Sequence, residues 1–303
     1  MKIGIDIGGS HIGIALVNEH GKIIEKSEAD IENMENVENF IESRIVKFVE
    51  ANRDNGKWGN NLSEIEMIGI AAPGIPRDGK IFSMCNLGIK ELDISAMLRK
   101  HYNLPIRIRN DGKCAALAEK KYGSLKEYDD CVFLCLGTGI GAGVFLQGKL
   151  LKAGRAPGFE IGHLVIEKDG IQCKCGKKGC FETYCSMKRF KDNVKKLANL
   201  PDEISSIELL DYLKKHQDEK KFAKLIDEYI DNLIIGFSNL IDIFEPEAIA
   251  LGGSFVHFKD VFFEKLQKKF YNEKYAFNSE FMPELKLAVL GNDAGIIGAT
   301  IEE

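Results

Sequence analysis

Lys2-Ile3-Gly4-Ile5-Asp6-Ile7-Gly8-Gly9-Ser10-His11-Ile12-Gly13-Ile14-Ala15-Leu16-Val17 is the stretch whose reading decides the fold. Lys2–Ile7 is apolar and β-branched and reads as a strand, Gly8-Gly9-Ser10 as a turn, and Ile12–Val17 as a second strand. Glu19-His20-Gly21 makes another turn before a third short strand at Lys22–Lys26. Three strands joined by tight turns form an antiparallel meander. Val37, Phe40, Ile41, Ile45, Phe48 and Val49 then share one helical face. The polar, Gly-rich stretch at 52–61 reads as a loop. A strand follows at Glu66–Ala71, ended by Pro73-Gly74, then a helix over Leu92–Tyr102 stopped by Pro105. Strand Ile106–Arg109 runs into Asn110-Asp111, and a helix opens near Gly112–Ala118.

The order βββαβαβα then returns. Cys131–Leu136 reads as a strand, Gly137–Gly143 as a glycine turn, and Val144–Leu146 and Leu164–Ile166 as strands. A helical block runs from about Met187 to Ile243 and ends before Pro246. Strand Ala248–Leu251, the turn Gly252-Gly253-Ser254, an amphipathic helix, strand Leu285–Leu290 and a short helix at Asp293–Ile301 complete the second half. A repeat in which each half opens on a glycine turn predicts a duplicated α/β protein. That is the two-domain actin-like ATPase (ribonuclease H-like) fold, with an interdomain cleft where small ligands bind. The expected domains are 1–113 with 291–303 as a small N-terminal lobe, and 114–290 as a larger lobe.

Bulk chemistry agrees with an ordinary globular protein. The chain has 303 residues, 45% hydrophobic and 29% charged, with a net charge of −5. That balance offers no overall basic field for a nucleic-acid backbone. The lysine pairs at 195–196, 214–215 and 268–269 read as solvated helix faces. No apolar run approaches the ~20 residues that span a bilayer, and no signal-peptide core follows Met1. The expectation is a cytoplasmic protein without membrane or nucleic-acid partners. Of eight cysteines, Cys85, Cys114, Cys131, Cys135 and Cys185 are scattered and read as small buried residues.

The other three stand in Cys173-Lys174-Cys175-Gly176-Lys177-Lys178-Gly179-Cys180, with His163 ten positions upstream. One imidazole and three thiolates suit tetrahedral zinc, and four protein ligands would make it structural. A reduced, metal-free loop is the alternative. Asp6-Ile7-Gly8-Gly9-Ser10 and Gly137-Thr138-Gly139-Ile140-Gly141-Ala142-Gly143 each follow a strand. Neither has the pattern of a Walker loop or a dinucleotide fingerprint. Such turns free backbone N–H groups for phosphate oxygens, with Ser10 and Thr138 adding hydroxyls. Read singly, either is equally a plain hairpin turn. Asp6 at its strand end can hold Mg2+ through water. Asp111 is placed to take a proton from an attacking hydroxyl, with Asn110 beside it to hold the acceptor. The pair also fits a helix N-cap. Glu160 and Glu182 are carboxylates around the zinc loop that can accept from sugar hydroxyls, or they are surface charge.

Together these motifs resemble the ROK family (repressor, open reading frame, kinase). The resemblance rests on Asp6 to Ser10, Asn110-Asp111, the Gly137–Gly143 turn, Glu160-Ile161-Gly162-His163 and the Cys173–Cys180 run followed by Phe181-Glu182. Gly252-Gly253-Ser254 and the stretch from Asp293 to Ala299 add to it. It spans nearly the whole chain. It implies an ATP-dependent hexose kinase using MgATP on the 6-hydroxyl, glucokinase-like, with Asp111 as catalytic base. Asn110, Glu160, His163 and Glu182 would bind the sugar, joined by Asn86. His163 would put one ring nitrogen on zinc and the other toward the sugar. Gly252-Gly253-Ser254 would form the adenosine-side turn. Ser10-His11 departs from the Thr-Lys common in the family, and the tryptophan often found after Asn-Leu is missing near Ile89. Allose, fructose, mannose and N-acetylmannosamine therefore stay open beside glucose. A sugar-responsive regulator is the rival; such proteins carry a DNA-binding domain ahead of the motif held here by Asp6. The family's common assemblies imply a homodimer or homotetramer.

Overall fold

The computed structural model describes residues 1–31, 36–54, 65–84, 87–152, 160–272 and 282–302. The chain divides into two compact units. The described parts of Met1–Tyr122 and Asn292–Glu303 form the first, and those of Gly123–Lys152 and Phe159–Gly291 the second.

In the first unit, β1 (Lys2–Ile7), β2 (His11–Val17) and β3 (Ile23–Asp30) form the expected meander. α1 (Val37–Asp54) follows, then β4 (Ile68–Ala72). α2 (Ile94–Arg99) and β8 (Ile106–Asn110) come later, and α3 (Asp111–Tyr122) starts directly from the end of β8. The sheet order is β3-β2-β1-β4-β8, with β4 and β8 parallel to β1. Alternation along β1 sorts its two faces. Ile3, Ile5 and Ile7 are fully buried in one core with Ile41, Ile45 and Phe48 of α1. Each such burial contributes roughly 1.5–3 kcal/mol. Gly4 and Asp6 face the other way, toward α9 (Ala294–Ala299). That face is smoothed for backbone contact: a Cβ at Gly69 would lie 2.0 Å from the Ala299 carbonyl oxygen, and one at Gly298 would lie 1.7 Å from that of Cys114. α3 thus packs on α9, and the first unit runs on through Tyr122 instead of stopping at Lys113.

Between β4 and α2 lies a small sheet that the sequence reading left out. It comprises β5 (Ile75–Arg77), β6 (Lys80–Met84) and β7 (Ile89–Leu92). Its hairpin turns on Asp78 and Gly79, with φ of 52° and 81°. Asp-Gly with two positive φ values matches the strand twist of a two-residue hairpin. β7 also takes up the start of the helix expected from Leu92, so α2 begins only after its cap, Asp93.

The second unit repeats the plan. β9 (Cys131–Leu136), β10 (Ile140–Leu146), β11 (Lys149–Leu150), β12 (Ala248–Gly252) and β13 (Glu284–Leu287) form a sheet in the order β11-β10-β9-β12-β13. Directions match the first sheet, with β12 parallel to β9 and β13. Three readings need correction. Only 137–139 is turn, because Ile140 to Gly143 pair with β9. Leu164–Ile166 makes one isolated bridge, Val165 with Cys180, rather than a strand. The helical block is three helices: α5 (Met187–Ala198), α6 (Ser206–His216) and α7 (Lys220–Phe244). Asn199, left-handed at φ 53°, ends α5 ahead of Pro201, and a capping box of Ser205 with Glu208 starts α6. α4 (Phe181–Cys185) precedes them, and α8 (Lys259–Phe270) follows the 3-10 turn Gly253–Phe258. Phe190, Tyr229 and Phe262 interlock at centroid distances of 4.7–5.0 Å in this unit's core. Among the described residues no helix is long and apolar enough to cross a membrane.

Candidate active site

In the first unit, β1 and β8 run parallel on either side of β4, so their C-terminal ends bring Asp6 and Asp111 together. Asp6 is half-buried, with its carboxylate against α9; a Cβ at Gly295 would lie 2.2 Å from its Oδ2. Burial, and next the Asp111 charge, push the Asp6 carboxyl up to about 7, against the pull of Lys26. Lys26 is itself tied to Asp293 and Glu28, each at 2.6 Å. Burial also raises Asp111, while N–H groups of Gly112 and of its own backbone oppose the rise. The Gly112 N–H donates to Asp111 Oδ1 at 2.8 Å. A carboxylate raised toward neutrality accepts a proton better than an ordinary one. Asn110 does act as a cap, accepting from the Lys113 N–H at 3.4 Å, while its amide nitrogen remains a donor by chemistry. The turn Gly8-Gly9-Ser10 is closed by Gly8 N–H donating to the His11 carbonyl at 2.8 Å, and Ser10 and His11 are exposed. Asn86 lies outside the described residues.

In the second unit, His163, Cys173, Cys175 and Cys180 place their donor atoms within 4.8 Å of one another. Cys173 Sγ is 3.6 Å from His163 Nδ1, and Cys175 Sγ is 3.6 Å from Cys180 Sγ. A tetrahedral zinc with bonds of about 2.3 Å to sulfur and 2.0–2.1 Å to nitrogen requires S···S near 3.8 Å and S···N near 3.6 Å. The donor set therefore fits zinc in kind, and these two separations match a tetrahedral site, while the whole set lies within 4.8 Å. Cys173 and Cys180 are buried and Cys175 is exposed. Lys177 closes the loop by donating from Nζ to the His163 carbonyl at 2.7 Å.

Glu182 lies in the first turn of α4, two residues after Cys180. Its Oε1 is 4.0 Å from His163 Nδ1, and its Oε2 accepts from the Ile140 N–H at 3.1 Å. It is thus bound into the site rather than loose surface charge. Glu160 precedes the 3-10 turn Ile161–His163; its carbonyl accepts from His163 N–H at 2.9 Å and its side chain is exposed. Gly137 N–H donates to the Gly139 carbonyl at 3.0 Å, which tightens the turn around exposed Thr138. Gly252 and Gly253 adjoin this turn, since Ser254 Oγ donates to the Leu136 carbonyl at 3.5 Å. Lys26 carried no sequence signal as a site residue, while Lys177 and Ile140 stand inside the two motifs but their contacts with His163 and Glu182 do not follow from spacing.

Comparison with known proteins gives one family model, described as the ROK family, matching residues 2–301. The chain is 31% identical to a glucokinase of Thermotoga maritima, over 98% of this chain and 95% of that one. It is 29% identical to a xylose repressor of Caldicellulosiruptor bescii, over 88% of this chain and 69% of the repressor. Among solved structures, a ROK hexokinase from Thermus thermophilus superimposes with a TM-score of 0.75 at 27% identity, covering 98% of this chain and 95% of that one.

Proposed function

We propose, for a chain that belongs to the ROK family, that it transfers the γ-phosphoryl group of ATP to the 6-hydroxyl of a hexose, in the manner of a glucokinase. The observation that carries this reading is the pair of carboxylates at the C-terminal ends of β1 and β8, with Asp111 raised by burial. Asp111 is the base: it takes the proton as the sugar oxygen forms its bond to Pγ, and the bond from Pγ to the bridging oxygen of ADP breaks. Asp6 would hold Mg2+ through water, and the bound ion would neutralise charge on the phosphates. Gly8 and Gly137 close the two phosphate turns through their own N–H groups, the N–H groups of Gly9 and Ser10, and of Thr138 and Gly139, bind phosphate oxygens, and Gly252-Gly253 serves the adenosine side. Asn86, Asn110, Glu160, His163 and Glu182 bind sugar hydroxyls. His163, Cys173, Cys175 and Cys180 would hold a structural zinc that fixes the His163 ring.

An ADP-release assay over glucose, allose, fructose, mannose, N-acetylmannosamine and xylose tests the reading. Turnover with one hexose far above the rest, and its dependence on Mg2+, is the expected result. Absence of ADP release with every sugar, together with measurable xylose binding, would replace it with the sugar-responsive regulator that the match to a xylose repressor favours.

A further inference from the structure

We infer that Glu182 is a positioning residue tying the Cys3His cluster to the Gly137–Gly139 turn, so that the cluster sets nucleotide affinity as well as sugar affinity. The nucleotide half of this inference rests on the kinase reading above.

Ile140, the first residue after the turn, is hydrogen-bonded at its N–H and closely packed at its carbonyl. Glu182 Oε2 accepts its N–H at 3.1 Å. This needs glycine at 139, where a Cβ would sit 2.2 Å from the same oxygen. Gly162 lies against the carbonyl of Ile140; a Cβ there would be 2.6 Å from that oxygen. Each contact adjoins a metal donor in sequence, Gly162 beside His163 and Glu182 two residues beyond Cys180. The span from Cys180 to Glu182 has little freedom. Cys180 bridges Val165, and Phe181 N–H donates to the Leu164 carbonyl at 2.7 Å. The Phe181 ring is fully buried against Gly236, where a Cβ would meet it at 2.4 Å. The far side of the turn is held separately, by Lys188 N–H donating to the Gly137 carbonyl at 3.0 Å. Beside the hairpin's own pairing of Ile140 with Leu136 and the Gly137 N–H to Gly139 carbonyl bond, the Glu182 and Gly162 contacts belong to the segments that carry the metal donors. Backbone N–H groups bind phosphate well only when their directions are preset. Drawing four donors to one ion holds both contacts and presets the turn.

The test uses the full, zinc-loaded chain without sugar, titrated calorimetrically with AMPPNP, as parent, Glu182→Ala and Glu182→Gln. Losing a charge-assisted hydrogen bond predicts about tenfold weaker AMPPNP binding for the alanine variant. Glutamine keeps an amide oxygen for the Ile140 N–H, so AMPPNP affinity stays within about twofold while hexose affinity falls in both variants. Hydrogen exchange at the Ile140 amide is the second reading. It should be slow in parent and Glu182→Gln, and fast in Glu182→Ala and in chelated parent. Unchanged AMPPNP affinity in Glu182→Ala, or equal losses in both variants, overturns the inference. Should the parent bind no AMPPNP, the kinase reading fails and exchange at Ile140 alone decides the Glu182 contact. Should the alanine variant not fold, slow exchange in the chelated parent overturns it.

Discussion

Replacing Asp6 by asparagine exchanges a carboxyl that the fold holds near neutrality for a neutral amide of the same shape. The folded-state value of about 7 stands roughly three pH units above the ordinary 3.8. Between those values the folded chain binds the proton more tightly than the unfolded chain does. Stability from this group is therefore complete below about pH 4 and is lost as pH rises through about 7. At about 1.4 kcal/mol per pH unit, the whole loss is about 4 kcal/mol, of which about 3 kcal/mol falls between pH 5 and pH 8.5. Burying the amide in place of the acid costs about 1–3 kcal/mol, but that cost does not depend on pH. The variant-minus-parent difference at the two pH values isolates the carboxyl. In magnesium-free buffer with zinc retained, Asp6→Asn should gain about 3 kcal/mol over the parent on going from pH 5 to pH 8.5. At 2–4 °C per kcal/mol this is about 6–12 °C in melting temperature. Scanning calorimetry at both pH values reads it directly. Adding Mg2+ and ADP should stabilise the parent much more than the variant, because the cation favours the ionised carboxyl that only the parent has. A variant-minus-parent difference that is the same at both pH values would show that Asp6 is an ordinary surface acid, and the reasoning from burial would fail.

Three further outcomes are expected. Asp111→Asn should lower kcat by at least ~100-fold while leaving hexose binding measurable by calorimetry, since proton removal contributes about that much or more; near-parent turnover would remove Asp111 from the base role. Chelation, or Cys175→Ser, should weaken hexose binding along with protection of residues 163–182 in hydrogen exchange, and full affinity in a verified metal-free protein would break the link between cluster and sugar. Gly298→Ala should destabilise the first unit by more than about 3 kcal/mol in denaturant titrations, because the added methyl meets the Cys114 carbonyl at 1.7 Å and backbone cannot step aside.

What could be read in advance was local. The first meander, the parallel strands after it and the ends at Pro73-Gly74 and Pro246 follow from turn chemistry and side-chain alternation over a few residues, whereas in the second meander the glycines of 141–143 hid the start of β10 and the two-residue β11 was too short to stand out. The Cys173–Cys180 run needs only its own spacing and one upstream histidine. The small sheet of β5 to β7 was equally local, since Asp78-Gly79 is a hairpin signal, yet its strands are too short for alternation to stand out. The division of the block from 187 to 243 was present too, in Asn199 and the Ser205–Glu208 box. Long helical periodicity masked those stops.

By itself the sequence determined two related α/β halves, a glycine turn in each and a cysteine–histidine set with the spacing of metal ligands, because hydrophobic alternation, turn residues and ligand spacing act between near neighbours. Only the tertiary structure decided which distant groups meet. It set Asp111 close enough to Asp6 to raise its pKa, laid α9 over Asp6, and brought Glu182 to the N–H of Ile140, 42 residues away. Those pairings depend on close packing of whole elements, where a missing Cβ at Gly69, Gly139 or Gly298 admits an atom that no pattern along the chain foretells.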